Sequence, residues 1–498
     1  MQSLSSGWSM RHRPATSLGR ALIAGSGAGA ILVAATVPFL GRYGWDRDEL
    51  YFMSASHHLA LGYVDFPPVT AWVAWLVRAI AGDSLDALRA VSLACAVATV
   101  ILVALMAREL GGGFAAQFGG AALWALTPLI LGSASIYHPT WFDQLAWVAF
   151  LYVATRILVR PEPRLWALLG VVAGVGLEAK YTIVFLLAAF AVCLLVIARE
   201  TLRTRGPGLA AGIALLLFVP NLVWQAQHGW PSVHFASSQN AKAAEDTSRA
   251  AFVVEQVLFL GAAFLVAVVG VVWLWRRRLQ VLAVVPVLVA VLFFIERGRS
   301  YYPLPADALA VAAGAVALEG WTSRRRALAL GTLAAAQIAV LVVVAPVVWP
   351  VLSSKTMVDR KIWKQSFYKD ELGWPELTAS VVRVWDGLPA AEQARAAVIA
   401  GNYGEASALE HFGRRELPLV LSGHLSWQYW RPRTLPQRYA ITVGMGVHPG
   451  ICRASRVVAR IDNRWHIANE EQGRPIVACT LRWPLGRLWE SSIERDSL

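Results

Sequence analysis

Eleven apolar runs, each close to the length that crosses a hydrocarbon layer, constrain this chain more than any other feature. They fall at 20–40, 88–107, 115–135, 141–159, 163–178, 181–198, 208–226, 252–275, 280–295, 302–320 and 327–350. A crossing helix needs about 17–25 residues. Lipid offers a backbone amide no partner, so such runs must close their hydrogen bonds as helices. Charge then divides the chain. Residues 1–350 hold 25 Lys/Arg and 17 Asp/Glu, while the much shorter 351–498 holds 20 and 15. The expectation is a membrane domain over 1–350 and a water-soluble domain over 351–498. With 57% of residues hydrophobic and 15% charged, disordered, fibrous and ordinary cytosolic proteins are excluded. The net charge of +13 does not point to nucleic acid, because most arginines flank the apolar runs and the sequence carries no nucleic-acid module.

The stretch 67–82 (PPVTAWVAWLVRAIAG) is short, opens on Pro67-Pro68 and carries Arg78. It reads as an interfacial helix rather than a span, and the positive-inside rule supports that choice. With the N-terminus inside and 67–82 not crossing, one face collects Arg11, Arg13, Arg20, Arg108, the arginines of 156–164, Arg199, Arg203, Arg205 and the triplets 276–278 and 324–326. These are 16 of the membrane part's 25 basic residues. Eleven spans then place 351–498 outside. The first run, preceded by Arg11, Arg13 and Arg20, reads as a full anchor rather than a cleavable signal. Cys95 and Cys193 lie in spans as small buried hydrophobes. Cys452 and Cys479 lie in the outer domain and can pair if that compartment is oxidising.

This topology sorts the polar residues that hydropathy does not explain onto one side. They lie in YGWDRDELYFMSASHHLALGYVDFPP (43–68), YHPTWFD (137–143), GLEAKYT (176–182), NLVWQAQHGWPSVHF (221–235) and ERGRSYYPLP (296–305). Ionisable residues at membrane depth are costly and commonly mark a functional path, so five such segments on one face point to a site at the outer interface. Asp48 and Glu49 open a segment, 47–61, with apolar residues near helical spacing, which predicts an amphipathic helix in the interface with acids at its N-terminal end. Their two readings are a helix-start charge and a carboxylate that takes a proton from a hydroxyl or amine. Asp46-x-Asp48 leaves a divalent cation open as an alternative, on a weak motif. Lys180, Arg297 and Arg299 suit neutralisation of a leaving phosphate, or snorkelling at the interface. Tyr181, Tyr301 and Tyr302 sit beside them, as phosphate donors or as part of an aromatic belt. His57, His58, His138 and His228 lack metal-ligand spacing.

These motifs resemble glycosyltransferase family 39, the protein O-mannosyltransferase and lipid A aminoarabinose-transferase group. The likeness runs from DELYF…GYVDFPP through the Asp143 loop, GLEAKYT, NLVWQAQHGWPSVHF and SYYPLP into IAGNYGEASALEHFG and LSGHLSWQYW, nearly the whole chain. The resemblance implies a GT-C fold: an all-α polytopic membrane protein of about 11 transmembrane helices with a small C-terminal α/β extracytoplasmic domain. It implies inverting transfer of a sugar from a polyprenyl-phosphate donor to a cell-envelope acceptor outside the cytoplasmic membrane, with no cofactor. Asp48 then matches the family's first-loop catalytic acid, with Glu49 beside it, and Asp143 a second acidic position. Lys180, Arg297 and Tyr301 fall where the lipid phosphate is held; Asp65, His138, Tyr181 and Arg299 complete the substrate-binding set. The aminoarabinose transferases have Glu-Lys-Pro-Pro where this chain has Asp65-Phe66-Pro67-Pro68, so that subgroup's lysine contact is not carried over.

Residues 351–498 alternate short apolar runs (397–400, 439–443, 476–479) with helix-like stretches such as 405–412, which predicts a small α/β domain. Tyr403-Gly404-Glu405 and His424, Trp427 and Trp430 are candidates for acceptor glycan, or for core. The competing function class is a transporter or lipid flippase, which would place charged sites near the midplane between inverted repeats; the sequence has no internal repeat.

Overall fold

The computed structural model describes residues 16–246, 248–364, 367–446 and 450–489. Arg11 and Arg13 of the topology argument lie outside the described residues. Every apolar run is helical, but not every one is long. Five helices have the length and composition to cross a membrane: Leu18–Phe39, Leu85–Glu109, Pro139–Val159, Arg205–Gln227 and Ser323–Val348. A sixth crossing would join Arg249–Leu260 to Ala262–Arg276, which meet at 98°. The other five expected spans are helices of 12 to 16 residues, among them Arg164–Ala179, Ile183–Ile197 and Gln280–Ile295. At a 1.5 Å rise per residue these fall short of the roughly 30 Å hydrocarbon layer.

The breaks have local causes. The 115–135 run divides into Phe114–Ala125 and Pro128–Ser133, with Pro128 opening the second helix, because proline has no N–H to continue the first. The 252–275 run bends at Gly261, which has φ +59°. The amide freed there is not lost: Ala262 N–H donates to Gln337 Oε1 (2.8 Å), while Gln337 Nε2 donates to Leu126 C=O (2.6 Å). Beyond the bend, Ala262–Arg276 packs backbone to backbone on Asp307–Glu319. A Cβ on Gly270 would lie 1.8 Å from Ala310 C=O, and one on Gly314 2.0 Å from Val266 C=O. Small residues let membrane helices approach this closely.

Val69–Ala81 stands apart as a short amphipathic helix. Thr70, Ala71 and Ala74 are buried, while Trp72, Trp75, Leu76 and Ile80 are exposed. Arg78 turns back to donate to His57 Nδ1 (2.6 Å) and Ser56 C=O (3.0 Å).

The C-terminal part forms a five-stranded sheet of order β2-β1-β3-β5-β4, with β1 Ala396–Ala400, β2 Val420–Ser422, β3 Tyr439–Val443, β4 Cys452–Arg460 and β5 Pro475–Leu481. β1 pairs in parallel with β2 and β3; β5 is antiparallel to β3 and β4. The three expected apolar runs are the central strands β1, β3 and β5. One sheet face packs Ile399, Leu421 and Leu481 under the last helix, around Trp489. The other face, with Val398, Ile441 and Val443, shares a core with Trp374 and with Leu50, Tyr51, Phe52 and Phe66 of the first loop. The C-terminal sheet is therefore seated on the 47–66 segment through a continuous apolar core.

Cys452 and Cys479 form a disulfide between β4 and β5 across 27 residues. Closing a loop of that length stabilises by about 3 kcal/mol in the chain-entropy account. Cys452→Ser should therefore lower the thermal midpoint of the detergent-solubilised protein, and reductant should lower the wild type to the same value. An unchanged midpoint in both would remove the bridge from the fold's energetics.

Candidate active site

The site is built around the helix Arg47–Ala55. Asp46 caps it by accepting from Asp48 N–H (2.8 Å), and Glu49 reaches back to accept from Asp46 N–H (2.9 Å), a capping box. The sequence predicts this helix lying in the interface with one apolar face. Instead every residue from Glu49 to Ala55 is buried, because the C-terminal domain covers the face that would have met water.

Glu49 is sealed and saturated. Oε1 accepts from Arg89 Nε (2.8 Å) and from Tyr137 N–H (2.7 Å); Oε2 accepts from Arg89 (2.7 Å) as well as from Asp46. Arg89 also donates to Gly44 C=O (2.7 Å) and lies 3.4 Å from Glu371 Oε2 of the C-terminal part. Two acids thus share one guanidinium. Glu49 accepts from four donors. Burial pushes Glu371 up to about 8, Arg89 only partly opposing and Glu49 adding to the rise. Glu49 does not border the cavity; it holds the amide of Asp46 on one side and that of Tyr137 on the other.

Asp48 is partly exposed, at 33%. Tyr403 O–H donates to its Oδ1 (2.6 Å), and His138 Nε2 lies 3.4 Å from Oδ2. Burial alone would raise this carboxyl, but His138, the Arg47 guanidinium and Tyr403 hold it down to about 2. His138 caps the helix Pro139–Val159: its Nδ1 accepts from Thr140 N–H (3.2 Å) and lies 2.7 Å from Thr140 Oγ1. With Nδ1 accepting, the ring proton is assigned to Nε2, facing Asp48. Lys180 Nζ in turn donates to Thr140 Oγ1 (3.0 Å) and sits 4.6 Å over the Tyr302 ring. A continuous polar chain therefore runs from Lys180 through Thr140 and His138 to Asp48.

A cavity of about 240 Å³ opens beside this chain, bordered by Asp46, Asp48, His138, Thr140, Gln144 and Tyr301, with an apolar wall that includes Trp141 and Phe259. Gln144 Oε1, buried on its edge, has no hydrogen-bond partner. The cavity is polar along Asp46, Asp48, His138 and Thr140 and apolar along Trp141 and Phe259, and Lys180 reaches its edge through Thr140. Among the described residues, no three His, Cys, Asp or Glu side chains converge as a metal set. Asp46 Oδ1 is occupied by its own helix cap.

The other sequence-predicted residues lie elsewhere. Asp143 is buried and does not border the cavity, accepting from Trp147 Nε1 (2.8 Å) and Thr182 O–H (2.7 Å) within electrostatic range of Lys180. Tyr181 joins Asn221, Gln225 and Ser232 in a network under the 228–232 turn. Asp65 accepts from Tyr51 O–H (2.9 Å); burial and the nearby Asp48 carry it up to about 7. Arg297 is exposed, with φ +54°, and Arg299 lies within electrostatic range of Tyr301. Thr140, Gln144 and the contact of Tyr403 with Asp48 were missed. The first two sit in or beside the YHPTWFD motif, where their polarity was a usable signal. Tyr403 is 355 residues from its partner and has none.

Arg89→Met should leave two acids buried with no cation and cost about 3–5 kcal/mol, seen as loss of folded protein in detergent. Glu371→Gln should be nearly neutral below about pH 4.5 and increasingly stabilising relative to wild type as pH rises toward 8. Because burial raises the folded-state value of Glu371, its stabilising protonated form is present at low pH and is lost as pH rises through about 8. The wild-type thermal midpoint should therefore fall between pH 5 and 8 more steeply than that of Glu371→Gln; parallel curves would refute the shared-guanidinium account.

Fold and site together define a helical membrane protein that gathers an acid, a histidine and a lysine beside a cavity with an apolar wall, covered by the C-terminal sheet-bearing part. The dolichyl-phosphate-mannose-protein mannosyltransferase family matches residues 65–224. Lipid A galacturonosyltransferase RgtD of Rhizobium johnstonii is 26% identical over 183 residues, 36% of this chain and 38% of that protein. Undecaprenyl phosphate-alpha-4-amino-4-deoxy-L-arabinose arabinosyl transferase 1 of Pseudomonas fluorescens is 31% identical over 159 residues, 30% of this chain and 28% of that protein. The matched part thus spans about a third of the curated relatives' length. The crystal structure of ArnT from Cupriavidus metallidurans bound to undecaprenyl phosphate superposes with a TM-score of 0.56 at 15% identity, covering 93% of this chain and 98% of ArnT; the apo form gives 0.55, covering 91% and 98%. The chain therefore has the ArnT fold, and the resemblance to the family 39 glycosyltransferases holds.

Proposed function

We propose that this protein transfers a sugar from a polyprenyl-phosphate donor to a cell-envelope acceptor, with inversion, at the outer face of the cytoplasmic membrane. The observation that carries the reading is the polar chain that links Lys180 to Asp48 along the rim of a cavity with an apolar wall. A sugar phosphate brings its own leaving group, so the chemistry needs one base and a cationic partner for the phosphate. The acceptor heteroatom forms its bond to the anomeric carbon as the bond from that carbon to the phosphate oxygen breaks. Its proton passes to Asp48 Oδ2, the oxygen that faces His138, and polyprenyl phosphate leaves as an anion neutralised by Lys180. Tyr301, on the cavity, and Arg299 beside it supply further contacts for the phosphate; the isoprenoid tail lies along Trp141 and Phe259. Arg297, at the outer edge, contributes long-range attraction. Asp143 and Tyr181 hold the 140–182 region in place.

The same reading assigns eleven crossings, the shorter helices included, with the N-terminus inside and 351–498 outside. The arginine distribution and the Cys452–Cys479 pair support it. A C-terminal reporter active only in the cytoplasm would overturn that sidedness.

Comparison of envelope glycolipids and glycans from cells with and without the gene, by mass spectrometry, identifies the product. Asp48→Asn should lower its rate of formation in membranes by about 10²–10⁴ with undecaprenyl-phosphate binding retained. Lys180→Ala should instead weaken that binding. Wild-type turnover in the first variant would place the base elsewhere; unchanged affinity in the second would return Lys180 to an interface anchor.

A further inference from the structure

The C-terminal domain sends one side chain into the neighbourhood of the reacting groups. Tyr403 is the first residue of the helix Tyr403–Phe412, whose start is fixed by a second capping box: Asn402 Oδ1 accepts from Glu405 N–H (2.8 Å), and Glu405 Oε2 accepts from Asn402 N–H (3.2 Å) and Gly401 N–H (2.9 Å). Tyr403 N–H donates to His424 Nδ1 (3.3 Å). The phenol ring is held between Tyr51, with centroids 4.8 Å apart, and the Arg47 guanidinium, 5.4 Å away. Arg47 is itself paired to Glu470 at 2.6 Å. A Cβ on Gly404 would lie 2.4 Å from Arg47 Cγ, so glycine there is what lets the helix approach. All this order is spent on one contact, the 2.6 Å hydrogen bond to Asp48 Oδ1.

We propose that Tyr403 is a positioning residue for Asp48, through which the soluble domain forms part of the working site. The proposal rests on the reading of Asp48 as the base. The terminal torsion of an aspartate is broad and nearly two-fold, so a carboxylate on a helix start can turn either oxygen toward an acceptor. Here the two oxygens have different duties. Oδ1 is taken by Tyr403, which does not border the cavity; Oδ2 faces His138, which does. Anchoring Oδ1 from outside fixes the plane of the carboxylate and leaves Oδ2 for the incoming proton. A charge-assisted O–H···O⁻ bond of this length is among the stronger side-chain contacts, and misplacement of a reacting group by about 1 Å costs on the order of 10²-fold. The domain's docking and the orientation of the base are then one event.

Tyr403→Phe keeps the ring between Arg47 and Tyr51 and removes only the O–H. It should lower product formation in membranes about 10–100-fold, per folded protein, while the thermal midpoint stays near wild type and undecaprenyl phosphate binds as before. In the Asp48→Asn background the same change should have no further effect on the residual rate. Gly404→Ala, which pushes the helix off Arg47, should reproduce the loss with the phenol present. Wild-type turnover by Tyr403→Phe, with only Tyr403→Ala impaired, would show that the ring merely packs and would overturn the proposal. So would independent, multiplicative losses in the double variant. Full turnover by Asp48→Asn would sink the base assignment itself and this inference with it, an outcome distinct from a silent Tyr403→Phe.

Discussion

The arrangement of the site depends on one buried ion pair, Glu49 with Arg89. Both side chains are at most 1% exposed. Two charges out of water are tolerated only when their remaining hydrogen-bonding capacity is met, and here it is met by backbone from separate parts of the chain. Glu49 takes the amides of Asp46 and Tyr137; Arg89 takes the carbonyl of Gly44. The pair therefore cannot form unless the start of the 47–55 helix, the turn before the 139–159 helix and the 85–109 helix are all in place. Asp48 sits two residues from the Asp46 amide and His138 one residue from the Tyr137 amide, both held by Glu49, which is why two side chains 90 residues apart in sequence face each other. Glu371 extends the same lattice into the C-terminal part, its carboxyl pushed up by burial, which Arg89 only partly opposes.

Around that anchor the membrane domain is irregular where the cavity lies. The break before Pro128, the bend at Gly261 and the turn ahead of Tyr301 all lie at its edge. Broken backbone at membrane depth is tolerated only where protein or a cavity satisfies it. Gln337 does so at Gly261 by accepting from one helix and donating to another. Helix breaks and site therefore have a common cause: the polar groups that would be costly in lipid are gathered where side chains or the C-terminal part can meet them.

Much of this was readable from sequence, and the failures have definite reasons. Hydropathy located each helix, since burial in lipid is an average property of a window. It could not see where the helices break, because one Gly or Pro hardly changes that average. Out-of-place polarity picked out Asp48, His138, Lys180 and Tyr301 correctly as residues of one locality. The same signal picked out Asp143, which instead bonds Trp147 and Thr182 in the interior. Depth is legible in a sequence; the direction a side chain points is not. Val420–Ser422 and Cys452–Arg460 were overlooked as strands because one is three residues long and the other is a largely exposed edge strand. Tyr403 was legible as a residue near a glycan or a core, but its partner is fixed by domain packing that no local pattern records.

An acid held at about 2 is a weak base, and the environment that makes it so suits the proposed reaction. A base matched to a resting hydroxyl would need a proton affinity far higher than this. In a substitution where the phosphate departs early, the acceptor oxygen becomes strongly acidic only as its bond to the anomeric carbon forms, so proton transfer comes late and a weak base suffices. What is needed before that moment is a fixed negative charge facing the positive charge that develops on the sugar, and preorganised charge of this kind is where most electrostatic catalysis resides. Arg47, His138 and Tyr403 keep Asp48 ionised, and Tyr403 does so at Oδ1 without bordering the cavity. The two amino-acid clusters that looked separate in the sequence, the acidic first loop and the aromatic start of the 403–412 helix, are on this account one device: the first supplies the charge, and the second holds it ionised and in plane.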